Sequence, residues 1–155
     1  MSQSYLPAGL PIPVPERNGL SAPYWEGLAH DVLKVQRNPR TGVFQWPPQW
    51  IAYDDQGFDL EWVEVAPRGL IYSWTRVWHP VHPALQDACP YIVVVVELPQ
   101  AGNVRMLGNL IGDPRQAVPI GAKVEAVFEH HPDAAPPFTL CQWRLADPAA
   151  GAEKS

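Results

Sequence analysis

Tyr91-Ile92-Val93-Val94-Val95-Val96-Glu97-Leu98 is the stretch that decides the architecture. Its Ile-Val run is β-branched and apolar on both faces, the mark of a central strand covered on either side. Further runs lie around it, separated by turn residues: Leu60 to Val65, Gly69 to Trp78, Arg105 to Ile111, Lys123 to Phe128 and Phe138 to Leu145. Short strands at such even spacing favour a barrel or sandwich, and about five or six of them fit a small closed barrel. Val124, Ala126 and Phe128 alternate with Lys123, Glu125 and Glu129, the pattern of a half-exposed strand whose glutamates face water.

Composition agrees with a mostly β protein. At 155 residues the chain can bury roughly two-thirds of its unfolded surface, enough for one main core. The 19 prolines and 11 glycines point to short strands and many turns rather than long helices. A net charge of −5 and a pI near 5.4 repel a phosphate backbone, so nucleic acid is not an expected partner. Cys89 and Cys141 are expected to be two buried thiols of a cytoplasmic protein rather than a disulfide. No basic and apolar leader opens the chain, and Tyr91 to Val96 is too short to span a bilayer, so no membrane association is expected.

The N-terminal side reads differently. Residues 1–20 form a proline-rich arm, with Pro7, Pro11, Pro13 and Pro15 holding it extended. Its Leu10, Ile12 and Val14 suit docking on another surface, the protein's own or a partner's. Residues 21–59 begin with a short helix, Ser21 capping it and Pro23 and Glu26 in its first turn, with Trp25, Leu28 and Val32 on one face. Two strands follow, Asp31 to Gln36 and Gly42 to Trp46. They flank a turn of the kind that carries the first Cys-x-x-Cys of a zinc ribbon. Asn38 and Thr41 hold those places, and Ala52 and Asp55 hold the corresponding places in the turn Ile51 to Gly57. Structural zinc requires deprotonated thiolate or imidazole ligands, so no zinc is expected. Phe44, Trp46, Trp50, Tyr53 and Phe58 are then the candidates to replace the metal as the ribbon's core, packed on the helix or a partner. Residues 60–146 make the barrel and 147–155 a flexible tail.

Side chains with chemical potential are few. His79-Pro80-Val81-His82-Pro83 lies in the long connection before Pro90; its histidines lack an obvious third metal ligand, which leaves a lid, a wall or a solvated loop. Tyr72, Trp74, Arg76 and Trp78 alternate along one strand as an aromatic and cationic stripe, suited to packing or to stacking on a base. His130 and His131 are adjacent on a strand and point apart, so they read as a solvated strand end. Cys89, with His79 or His82 as base and Asp87 as orienter, is a weaker nucleophile candidate than a buried thiol. There is no Gly-rich phosphate loop, Gly-x-Ser-x-Gly elbow or His-Glu-x-x-His.

Taken in order, Pro23-Tyr24-Trp25-Glu26-Gly27-Leu28, the hairpin, Pro47-Pro48, Leu60 to Val65, Gly69 to Trp74, Pro80-Val81-His82-Pro83, Pro90-Tyr91, Leu107-Gly108-Asn109-Leu110-Ile111-Gly112 and Ile120-Gly121 resemble a known family. It is the acyl-CoA-associated family of unknown function in which a rubredoxin-like zinc ribbon precedes an OB-fold. The resemblance covers roughly Pro23 to Phe128 and departs from the family at the metal positions. It implies a non-catalytic accessory subunit, in a hetero-oligomer with a thiolase-like enzyme of the steroid side-chain aldolase, ketothiolase or acyltransferase type. Such a subunit would dock on its partner and help form or channel the acyl-CoA site, with a coenzyme A thioester as ligand and catalysis left to the partner. On that reading Arg76, Trp78, His79, His82 and Tyr91 are candidates for acyl-CoA or partner contact, and Trp25, Phe44, Trp46, Trp50 and Tyr53 for docking. The alternatives are a stand-alone acyl-CoA-binding OB module and, behind it, a binder of single-stranded nucleic acid.

Overall fold

A computed structural model describes residues 5–15 and 19–146. The element order is α1 (Ala22–Ala29), β1 (Leu33–Arg37), β2 (Phe44–Gln45), β3 (Glu61–Val65), β4 (Arg68–Val77), β5 (Tyr91–Leu98), β6 (Val104–Leu110), β7 (Lys123–His131) and β8 (Phe138–Leu145). Short 3-10 turns at Pro83–Leu85 and Pro99–Ala101 flank β5. No described helix is long and apolar enough to cross a membrane.

β5 is the centre that its sequence promises. Ile92, Val94, Val96 and Leu98 are buried on one face, while Tyr91, Val93, Val95 and Glu97 are half-buried on the other. It pairs antiparallel with β4 and with β6, and the barrel closes in the order β4-β5-β6-β8-β7. β4 spans two neighbours. Its start, Arg68 to Leu70, pairs with Lys123 to Glu125 of β7, and a bulge between Ile71 and Ser73 re-aims the rest along β5. The last seam is thin: β6 meets β8 in parallel through Leu110 opposite Trp143, with Ile111 N donating to Trp143 O. This is an OB-type barrel preceded by a helix and a hairpin, and the protein is mostly β.

Glu61–Val65 departs from the expected grouping. It joins the three-stranded sheet β2-β1-β3, pairing with β1 from Leu33↔Val65 to Arg37↔Glu61, and takes no part in the barrel. A strand's sequence states that it wants a neighbour, not which sheet supplies one. The two sheets still share one core, in which Leu28, Leu33 and Val35 join Ile71, Ile92, Val94, Val96 and Trp143.

α1 begins at Ala22 with Pro23 in its first turn, but the Ser21 side chain makes no capping hydrogen bond. The Ser21 carbonyl instead accepts from the amides of Tyr24 and Trp25. Leu28 is fully buried and Trp25 partly so; the helix ends at Ala29, leaving Val32 outside it. The arm is described from residue 5 to 15 and lies on the protein's own barrel through the amides of Tyr5 and Leu6. The tail, residues 147–155, lies outside the described residues.

Candidate functional site

Two turns face one another in the hairpin module. Asn38 N bonds Val43 O and Gly42 N bonds Asn38 O, while Ala52 N bonds Gly57 O and Gln56 N bonds Ala52 O, all within 2.8 to 3.1 Å. Between the turns lies a polar knot. The Asn38 side chain is buried, its Nδ2 donating to Asp54 Oδ1 (3.1 Å) and Asp55 Oδ2 (2.8 Å) and its Oδ1 accepting from Arg40 N (3.0 Å). Thr41 Oγ1 donates to Asp54, the Arg40 guanidinium pairs with Asp55, and Gly57 N donates to Asp55 Oδ1. The Arg40 hydrogen bond, then those of Asn38 and Gly57 N, lower the Asp55 carboxyl to about 2. Hydrogen bonding by Thr41 likewise holds Asp54 below its ordinary value. Ala52 is buried beneath them.

A second pair of buried amides ties down the rest of the loop. Gln45 Nε2 donates to Gln36 Oε1 (3.0 Å) and to Ile51 O (3.3 Å), Gln36 Oε1 accepts from Gln49 N (2.8 Å), and Gln45 Oε1 accepts from Tyr53 N (2.9 Å). The module's fastening is therefore polar. This corrects the expectation that Phe44, Trp46, Trp50, Tyr53 and Phe58 together make its core. Phe44 and Trp46 do pack on the core, with Trp46 4.9 Å from the Tyr24 ring and Tyr24 in edge contact with Trp25. Trp50, Tyr53 and Phe58 remain 68%, 55% and 76% exposed. The loop is held from its backbone side, so these rings face outward. Of the rings expected to dock, Trp25, Phe44 and Trp46 serve the protein's own interior, and Trp50 and Tyr53 are available at the surface.

At the other end of the barrel the β4 bulge splits the aromatic stripe. Trp74 and Arg76 sit opposite the inward-facing Val94 and Ile92, whereas Tyr72 falls on the outside beneath Arg105, whose guanidinium lies 3.5 Å from its ring centroid. Arg76 Nε and Nη2 donate to Pro114 O (2.9 Å) and Gln116 O (2.6 Å), so this cation first fastens the loop after β6. Trp78 is half-exposed between Arg76 and Arg115, at 5.9 and 5.1 Å. His79 is exposed, and His82 Nδ1 accepts from Ala84 N (3.1 Å), capping the short turn at Pro83. Tyr91 lies half-buried at the start of β5. Arg76 and Trp78 are thus brought together, and His82 is committed to its own loop. Cys89 and Cys141 are free thiols, and burial pushes the Cys141 thiol up to about 12.

One site was not visible in the sequence. Glu129, read as facing water, is 1% exposed. Its Oε1 accepts from Tyr5 N (2.6 Å) and Leu6 N (2.9 Å) and lies 3.0 Å from His131 Nε2, and its Oε2 accepts from Gln142 Nε2 (2.7 Å). Burial pushes this carboxyl up, but those partners outweigh it and hold it below its ordinary value. Nor are the histidines a solvated strand end. His131 shares the Glu129 face and stacks on Phe138, and His130 bridges Asp31 Oδ1 (2.7 Å) and Thr139 Oγ1 (3.0 Å), joining hairpin module to barrel. The arm covers the outward face of β7 at Glu129, while Lys123 and Glu125 stay exposed, and a period-two pattern cannot report that tertiary contact.

The family described as "ChsH2, C-terminal OB-fold domain" matches residues 62–129. A solved "Ltp2-ChsH2(DUF35) aldolase" contains a chain 30% identical to this one, with a TM-score of 0.72 covering 86% of this chain and 100% of that one. This chain belongs to the DUF35 family of acyl-CoA-associated OB-fold proteins. A DUF35 protein of unknown function from Sulfolobus solfataricus, 14% identical, shares the fold at a TM-score of 0.59 over 83% of this chain and 87% of its own. Two curated relatives are longer. The probable enoyl-CoA hydratase alpha subunit of Thermomonospora curvata is 32% identical over 136 residues, 88% of this chain and 40% of the relative. The 3-oxo-4,17-pregnadiene-20-carboxyl-CoA hydratase alpha subunit of Mycobacterium tuberculosis is 29% identical over 150 residues, 90% of this chain and 45% of the relative. The chain thus spans less than half the length of the curated relatives it matches.

The zinc that the resemblance implies for a DUF35 ribbon does not fit the residues present here. Asn38 points amide hydrogens, not lone pairs, at the Asp54 and Asp55 carboxylates, and Ala52 has no donor atom to give. Among the described residues no three His, Cys, Asp or Glu side chains gather to hold a metal ion. Elemental analysis of this DUF35 protein after purification in zinc-containing medium is expected to find far less than one zinc per chain. One zinc per chain would overturn the polar fastening.

Proposed function

We propose that this chain is a non-catalytic subunit of an acyl-CoA enzyme complex, docking on a thiolase-like partner and helping to form or channel its acyl-CoA site. The observation that carries this reading is the chain-long likeness to the DUF35 component of an aldolase assembly. The names of the longer relatives, both alpha subunits of acyl-CoA hydratases, support the same class of substrate. On the molecule itself, Trp50 and Phe58 are exposed on a loop that is otherwise tightly tied, as suits a rigid docking surface.

The test is co-purification with a thiolase-like protein encoded beside this one, followed by titration of the pair. Replacing Trp50 or Phe58 singly with alanine is expected to weaken assembly by ~30-fold or more, since a hot-spot ring costs ~2 kcal/mol or more when truncated. Unchanged assembly, or thioester turnover by the isolated chain at the rate of the complex, would sink the proposal.

A further inference from the structure

A buried carboxylate is costly unless its oxygens are saturated by hydrogen bonds. In Glu129 much of that saturation comes from the backbone of the N-terminal arm, through the Tyr5 and Leu6 amides. The arm so pinned roofs a cleft of about 430 Å³, with Ile92, Leu110 and Ile111 in its floor and Leu85 and Ala88 in its far wall. That is within the range of cavities that hold small organic ligands, about 300–1,000 Å³. No lining side chain carries a charge; the polar ones belong to Tyr5, Tyr91, Asn109 and Gln142. A second cleft, about 540 Å³ between α1 and the start of β8, differs in having Glu26 and His130 in its walls.

We propose that the cleft beneath the arm binds the uncharged apolar acyl part of a thioester, with the segment from Tyr5 to Leu10 as a strap latched by Glu129. The inference rests on the acyl-CoA reading above and adds which part of the molecule this chain holds. The lining offers the nucleotide end no positive side chain to balance its phosphates. Prolines at 7, 11, 13 and 15 limit the conformations open to the released arm, so reclosing it costs little ordering.

Decanoyl-N-acetylcysteamine, an uncharged thioester without a nucleotide, serves as probe in a titration of the full chain followed by amide NMR. Shifts are expected to centre on Leu85, Ile92 and Ile111. Ala88→Phe, which fills the cleft, is expected to weaken binding by ~10-fold or more; Leu85→Trp fills it from a neighbouring position should the first variant not fold. Leu6→Pro removes a latch donor that Leu6→Ala keeps, and is expected to bind the probe several-fold more weakly than Leu6→Ala. Shifts centred on Trp78, or equal binding by the filled variants, would overturn the site. Equal binding by the two Leu6 variants would overturn the strap. Failure to assemble with a thiolase-like partner would leave these titrations unchanged, so the two readings fail separately.

Discussion

Trp143→Ala is expected to lower the free energy of unfolding by ~3–5 kcal/mol, the range for truncating a fully buried aromatic side chain. Trp143 is 0% exposed and heads the fully buried side chains by volume. It stands where the barrel is thinnest, since β8 pairs with β6 only at Leu110↔Trp143. The indole, not a ladder of backbone bonds, fills that seam. Gly108 makes the room: a Cβ there would lie 2.6 Å from Trp143 Cδ1 and 2.7 Å from Nε1. Trp143 Nε1 is buried and has no hydrogen-bond partner among the described residues. Trp143→Phe therefore discards no bond and should cost clearly less than Ala, while Gly108→Ala should cost ~1–3 kcal/mol by overpacking. Urea unfolding of the three variants checks the order. A Phe variant as damaged as the Ala variant would mean that the indole nitrogen, not ring volume, holds the seam.

Asn38→Ala is expected to loosen the two facing turns of the hairpin module. One buried amide gives three hydrogen bonds there, two of them to carboxylates, and its loss should cost ~1–3 kcal/mol. The effect should also appear in acid. With the native Asp55 carboxyl at about 2 against an ordinary 3.8, the folded state favours the ionised form. Its contribution is complete above about pH 4 and is lost as pH falls toward 2. Removing Asn38 takes away a lowering contact, so the Asp55 carboxyl should move up and its share of the stability shrink. Carbon-detected NMR of the Asp55 side chain, with amide exchange at Gly42 and Gly57, reads both. An unmoved Asp55 titration in Asn38→Ala would separate that residue from the knot.

What the sequence made legible was pattern of long range and simple period. β5, the barrel strands and the shape of the hairpin follow from apolar runs, turn residues and spacing. What it hid depended on a second surface arriving. Glu129 looked solvated because period two assigns a face, not whether the arm covers it. Tyr72 looked like part of the Trp74 stripe because a bulge adds one residue without a signature. The buried pair Gln36 and Gln45 carried no signal, because amides show their value only when paired inside. The rings Trp50, Tyr53 and Phe58 were overread as core for the converse reason, since hydrophobic character does not say which side of a loop is anchored.

A knot of amides, carboxylates and one guanidinium changes what the hairpin module answers to. Everything needed to close it arrives with the polypeptide, so its folding need not wait for delivery of an ion. A chelator is expected to leave its fold unchanged, because Asn38 turns amide hydrogens towards the carboxylates and Ala52 has no donor atom. Protons reach it directly through Asp54 and Asp55. Its vulnerability is therefore to acidity.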